Sequence, residues 1–302
     1  MTVKQVGRLL VAAFKEWNQD KAPRMAAALA YYTVFSLAPL LLLIIAIAGI
    51  FLGQEAAQGQ ILSQFQGLLG EQGAKAIQSA VENASQSGGG FLASAISIVA
   101  LLFGASGVFT QLQAALNSAW EVKAKPKLGF WGFIRSRFLS FSMILVIAFL
   151  LVVSLVVSAG LAALNTYMSE LLPGVDVLWQ ILNIVITLGV LTLLFAMIYK
   201  VLPDAKVAWK DVWTGALVTA VLFSVGKVAL GVYIGNGSVG SAYGAASFLL
   251  ILLVWIYYSA QILFFGAELT QVYASRYGSK IVPTEYAVSV GEESDPTSRS
   301  TP

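Results

Sequence analysis

One stretch constrains this chain more than any other: residues 245–267, AASFLLILLVWIYYSAQILFFGA, carry no charge. A helix of that length rises ~35 Å, enough to cross a hydrocarbon core of ~30 Å. The run stops at an acid, Glu268. At about 100° per residue, Tyr257, Gln261 and Glu268 fall close to one line on that helix. Lipid solvates such a stripe poorly, so it is expected to face protein or water.

Composition extends the argument to the whole chain. Of the 302 residues 58% are hydrophobic and only 11% charged, with mean hydropathy +0.80, whereas a soluble domain is about 25% charged. The expected class is an all-α polytopic membrane protein. There is no Cys and no His, which removes disulfides, thiol chemistry, and the commonest general base and metal ligand. No catalytic group, metal site or cofactor is predicted.

Six crossings are predicted, at about 27–52, 91–110, 138–164, 178–202, 213–234 and 245–267, within a single membrane domain over residues 1–280. The first contains Pro39, expected to kink it. Before it, Val3, Val6, Leu10, Ala13, Phe14 and Trp17 share one helical face while Lys4, Arg8 and Lys15 lie mostly opposite. That pattern fits a helix along an anionic membrane surface, and equally one packed on the protein. Residues 54–90 are polar with two amphipathic patterns, read as an outer helical hairpin. Ser97, Gly104 and Gln111 in crossing two make a small and polar seam for helix packing. Residues 281–302 are expected to be a disordered tail whose removal is tolerated.

Charge sets the orientation. The segments before crossing one, between two and three, between four and five (with Lys200), and after six carry five, five, three and three of the 18 Lys and Arg residues. The remaining connections carry only Lys75, and Lys227 lies inside a crossing. The positive-inside rule then places both termini in the cytoplasm. Topology thus accounts for the pI near 9.0, and no nucleic-acid partner is needed.

Two motifs fail on context. Gly235-Asn236-Gly237-Ser238-Val239-Gly240 fits GxGxxG, but it joins two membrane helices where a dinucleotide site needs a βαβ unit. Gly104-Ala105-Ser106-Gly107 is not a GxSxG elbow, and no His exists to complete a triad. Lys227 is the charge deepest in a crossing, on one face with Ala216, Ala220, Ser224 and Gly231. It either meets an anionic group in a cavity or snorkels to the outer interface. Glu268 lies too far along the membrane normal to reach it. The candidate substrate path is therefore Lys227, Tyr257, Gln261 and Ser224. The candidate cytoplasmic rim is Glu268 with Arg24, Arg135, Arg137 and Asp211, where Glu268 is either a structural ion-pair partner, of these bases or Lys210, or a gate.

RMAAALAYYTVFSLAPL in crossing one, LNSAWEV after crossing two, the Arg137-headed third crossing, LPDAKVAWKDVWTGA and, above all, YGAASFLLILLVWIYYSAQILFFGAEL resemble the YihY/BrkB family of bacterial inner-membrane proteins. The resemblance covers about residues 8–275 and implies six helices in the cytoplasmic membrane. The family has also carried the label ribonuclease BN, which a chain without His does not fit. It implies a secondary transporter, or a protein handling lipid or an anionic solute, with membrane lipids as partners. The alternatives are an accessory protein of envelope assembly and, last, a membrane ribonuclease. A homo-oligomer is compatible with the sequence but nothing in it supports one.

Overall fold

The computed structural model describes residues 2–85, 91–125, 132, 138–139, 141–150, 152–153, 176–236, 247–279 and 281–290. Its helices are α1 (Val3–Gln19), α2 (Ala22–Leu52), α3 (Gln54–Ser85), α4 (Phe91–Ala119), α5 (Phe141–Leu150), α6 (Asp176–Val201), α7 (Trp209–Asn236) and α8 (Ser247–Tyr277). Four short strands accompany them: β1 (Val122–Ala124), β2 (Ala205–Lys206), β3 (Val282–Pro283) and β4 (Ala287–Ser289).

Among the described residues, four helices are long and apolar enough to cross a membrane: Ala22–Leu52, Gln180–Val201, Trp209–Leu230 and Leu249–Tyr277. They overlap predicted crossings one, four, five and six. The second predicted crossing is helical within α4, and of the third Phe141–Leu150 is described as a shorter apolar helix.

Local chemistry sets the helix ends. Asp20 and Lys21 break the chain, with Lys21 in the left-handed region (φ 55°), and Pro23 follows in the first turn of α2, where its missing N–H costs nothing. α2 then runs unbroken through Pro39. Its ring sits where α4 offers Gly104, since a Cβ there would come within 3.0 Å of the Pro39 side chain. Gly53 (φ 84°) alone separates α2 from α3.

α8 is the centre of the bundle. It packs against α7, α2 and α1, and less extensively against α3 and α4. One apolar core, including Ile44, Leu116, Ala220 and Phe264, runs through these helices. A satellite core of Leu9, Ala13, Leu269 and Val272 fixes α1 to the C-terminal half of α8.

Two expectations are corrected. The predicted outer hairpin over 54–90 is, across 54–85, one continuous helix, α3, packed on α2. Ala57, Ile61, Ala74, Ile77 and Val81 are buried along it, so both amphipathic patterns belong to a single element. The predicted disordered tail is ordered over 281–290. β4 pairs antiparallel with β1 (Val122↔Ser289, Ala124↔Ala287) and β3 with β2 (Ala205↔Pro283). The reason is backbone satisfaction. The connections after α4 and α6 expose N–H and C=O groups, and the tail partners them, with Val290 N–H donating to Glu121 O and Thr284 N–H to Asp204 O, both at 2.9 Å.

Candidate functional site

α8 meets α7 through a reciprocal Gly–Thr interlock. Gly215 and Thr219 on α7 face Thr270 and Gly266 on α8, and a Cβ on either glycine would overlap the opposing threonine Oγ1. Each threonine hydroxyl donates to the carbonyl of the glycine four residues earlier on its own helix: Thr219 to Gly215 O at 2.7 Å and Thr270 to Gly266 O at 2.8 Å. The helices therefore approach closely without stranding a polar group, as expected of small-residue membrane interfaces. Tyr199 of α6, wholly buried, closes the crossing. Its hydroxyl donates to Leu263 O at 2.7 Å and lies 2.9 Å from Thr219 Oγ1.

On another face of α8 runs its polar stripe. Tyr257 and Gln261 are half-buried. Phe264, at 0% exposure, and Glu268, at 1%, shut the same stripe toward the charged end of the bundle. Glu268 Oε1 is buried with no hydrogen-bond partner among the described residues. Among the described residues, those acting on it electrostatically are acidic: Asp20, Glu16 and Glu121. α1 brings the first two, because its Ala13 packs with Val272 one turn past Glu268. Glu121 follows α4 with a positive φ of 53° and accepts a long bond from Gln271 Nε2 at 3.5 Å. Asp20, at the end of α1, is held above the usual aspartate range by partial burial, then by Glu121 and Glu16. The buried indole N–H groups of Trp17 and Trp120 also have no partner among the described residues. A buried carboxyl oxygen and two buried donors left unpaired at one end of the fold mark it out, since native interiors rarely strand such groups.

The other candidates are placed elsewhere. Lys227 is exposed, flanked on α7 by the exposed Val225 and Val228. Ser224 is half-buried and its hydroxyl is committed to Ala220 O at 2.8 Å. Arg24 is exposed at the start of α2. Arg135 and Arg137 lie outside the described residues. Asp211 is buried and accepts from the Ser279 N–H at 2.9 Å, so it fastens the start of α7 to the end of α8. The structure thus gathers Tyr257, Gln261 and Glu268 on α8 but does not bring Lys227 to them.

Sequence reasoning missed the interlock; the cross-linking Asn117 was expected from the sequence without its partner, and on α4 it clasps Asp204 after α6. Asn117 Nδ2 donates to Asp204 Oδ2 at 2.9 Å, and Asp204 N–H donates to Asn117 Oδ1 at 2.7 Å. The repeated Gly-x-x-x-Thr spacing at 215–219 and 266–270 was the available signal for the first.

Comparison with known proteins gives a consistent result. The model of a family described as virulence factor BrkB matches residues 13–288. A UPF0761 membrane protein of Alteromonas mediterranea is 28% identical over 85% of this chain and 84% of its own length. One from Pseudoalteromonas translucida is 30% identical over 88% of each. A third, from Pseudomonas paraeruginosa, is 30% identical over 83% of this chain but 59% of its own length. Against several such relatives the chain spans rather more than half their length. No solved structure matches.

Proposed function

The chain belongs to the virulence factor BrkB family of membrane proteins, and from that premise we propose that it is a non-enzymatic, multi-pass protein of the bacterial cytoplasmic membrane that passes a small solute along the polar stripe of α8. In this reading it has six crossings, with both termini and the basic end in the cytoplasm, as the distribution of Lys and Arg argues. The observation that carries it is Glu268, an acid buried to 1% exposure on the central helix with an unpartnered oxygen. A scaffold gains nothing from such a group, because a buried polar atom left without a hydrogen bond is costly. Ionisable groups inside membrane bundles commonly mark a pathway. Tyr257 and Gln261 remain half-open on the same stripe while Phe264 and Glu268 seal it, an arrangement closed toward the basic end.

The interior charge of this stripe is acidic, so it suits a cation, as solute or coupling ion, better than an anion. Lys227, exposed among valines, fits a side chain snorkelling to the outer interface. A non-transporting accessory role is the second reading, and the interlock of α7 with α8 favours it by making that crossing rigid. Complementation of a strain lacking the protein separates the two. Lys227→Ala is expected to restore its growth and Glu268→Gln to fail, with both reaching the membrane at wild-type level. Full rescue by Glu268→Gln would leave only the accessory role.

A further inference from the structure

α1 divides into three sectors around its axis. Leu9 and Ala13 are buried against α8 and its neighbours. Roughly 80° round the helix, Val6, Leu10 and Phe14 form an apolar strip that is 43%, 39% and 59% exposed. Roughly 140° from both lie Lys4, Arg8 and Lys15, all exposed. No acid occurs between Val3 and Lys15. The satellite core already accounts for the packed sector, so protein packing leaves the apolar strip uncovered. In water that strip is unfavourable, and its neighbouring sector carries only positive charge.

We propose that α1 lies in the headgroup layer of an anionic lipid surface, with Val6, Leu10 and Phe14 at the acyl boundary and Lys4, Arg8 and Lys15 on lipid phosphates. Charge complementarity selects this occupant over a second copy of the chain, whose own α1 would bring the same three cations. The break at Asp20-Lys21 joins α1 directly to the membrane-spanning α2, which holds the arm at the level where headgroups begin. This is the geometry of interfacial amphipathic helices, in which apolar burial and attraction to anionic lipid act together.

The absence of cysteine makes single-site labelling direct. An environment-sensitive fluorophore is placed at Leu10→Cys, at Val6→Cys as a second strip position, and at Lys15→Cys, in the full-length protein. Each is reconstituted in nanodiscs of phosphatidylcholine with or without phosphatidylglycerol. The strip labels are expected to be quenched by brominated acyl chains and shielded from aqueous acrylamide, and the Lys15 label to behave oppositely. Phosphatidylglycerol is expected to raise the strip quenching about twofold, a gain abolished by the triple change Lys4→Gln, Arg8→Gln, Lys15→Gln. Strip labels as open to acrylamide as the Lys15 label in both lipids would overturn the proposal. So would shielding independent of lipid charge, or shielding that grows with protein-to-lipid ratio, which would assign the strip to a second copy.

Discussion

A single residue, Ala267, separates Gly266 from Glu268 on α8, and the two sit in opposite kinds of surroundings. At Gly266 each hydroxyl of the interlock has a partner on its own helix and the helices touch through glycine. At Glu268 a carboxyl oxygen is buried without one among the described residues, and those acting on it electrostatically are acids. Both positions face protein, so burial alone does not distinguish them. Polar satisfaction does: the first is built to hold and the second leaves a group unspent. In a low-dielectric interior that difference is costly enough to need a purpose.

Overfilling the holding region is expected to have the largest effect. A Gly215→Val side chain would collide with Thr270 Oγ1 and approach Gly266 O at 2.8 Å from its Cβ. The cost is expected at ~3 kcal/mol or more, seen as a large loss of thermal stability in detergent. A mild effect would show that the crossing relaxes and that the contrast with Glu268 is overstated. The tail comes next. Ending the chain after residue 290 is expected to leave the melting temperature unchanged, whereas ending it after 280 removes β3 and β4 and costs roughly 2–3 kcal/mol in backbone hydrogen bonds. Equal stability of the two truncations would return the whole tail to disorder.

The smallest effect sharpens the acidic side. Folding raises Asp20 above its ordinary value of 3.8, so the folded chain binds that proton more tightly than the unfolded one. Stability must then decline as pH rises from the unfolded value through the folded one. Asp20→Asn removes this penalty. The variant is expected to melt slightly higher than wild type at neutral pH, and the gap to close as pH falls below that window. A gap that widens on acidification would place Asp20 beside a base.

How much of this was legible depended on how local each signal was. A charge-free run ended by an acid is self-contained, so α8 and its stripe could be read directly, while Glu268, expected in a charged rim, is buried. Lys227 could not be placed. It shares a helical line with Ala216 and Ala220, which are wholly buried, yet it is exposed. Periodicity along one helix does not say which of its faces a neighbour covers at each level. The Gly–Thr interlock depends on which two helices meet and at what height. The strands at 282–283 and 287–289 are too short for any alternation to show, and they form because distant loops need partners. The hairpin expectation failed on α3 because its glycines and glutamines resemble turn composition. A long buried stripe from Ala57 to Val81 overrode it.

The central claim is that Glu268 is retained for what it does and not for holding the bundle together. It is tested most directly by the melting temperature of Glu268→Gln beside wild type, in the same nanodiscs at neutral pH. Replacing a buried carboxyl whose Oε1 has no partner among the described residues by an amide of the same shape is expected to leave stability unchanged within about 1 kcal/mol. A loss of several degrees would contradict the account, showing that the carboxylate holds partners essential to the fold.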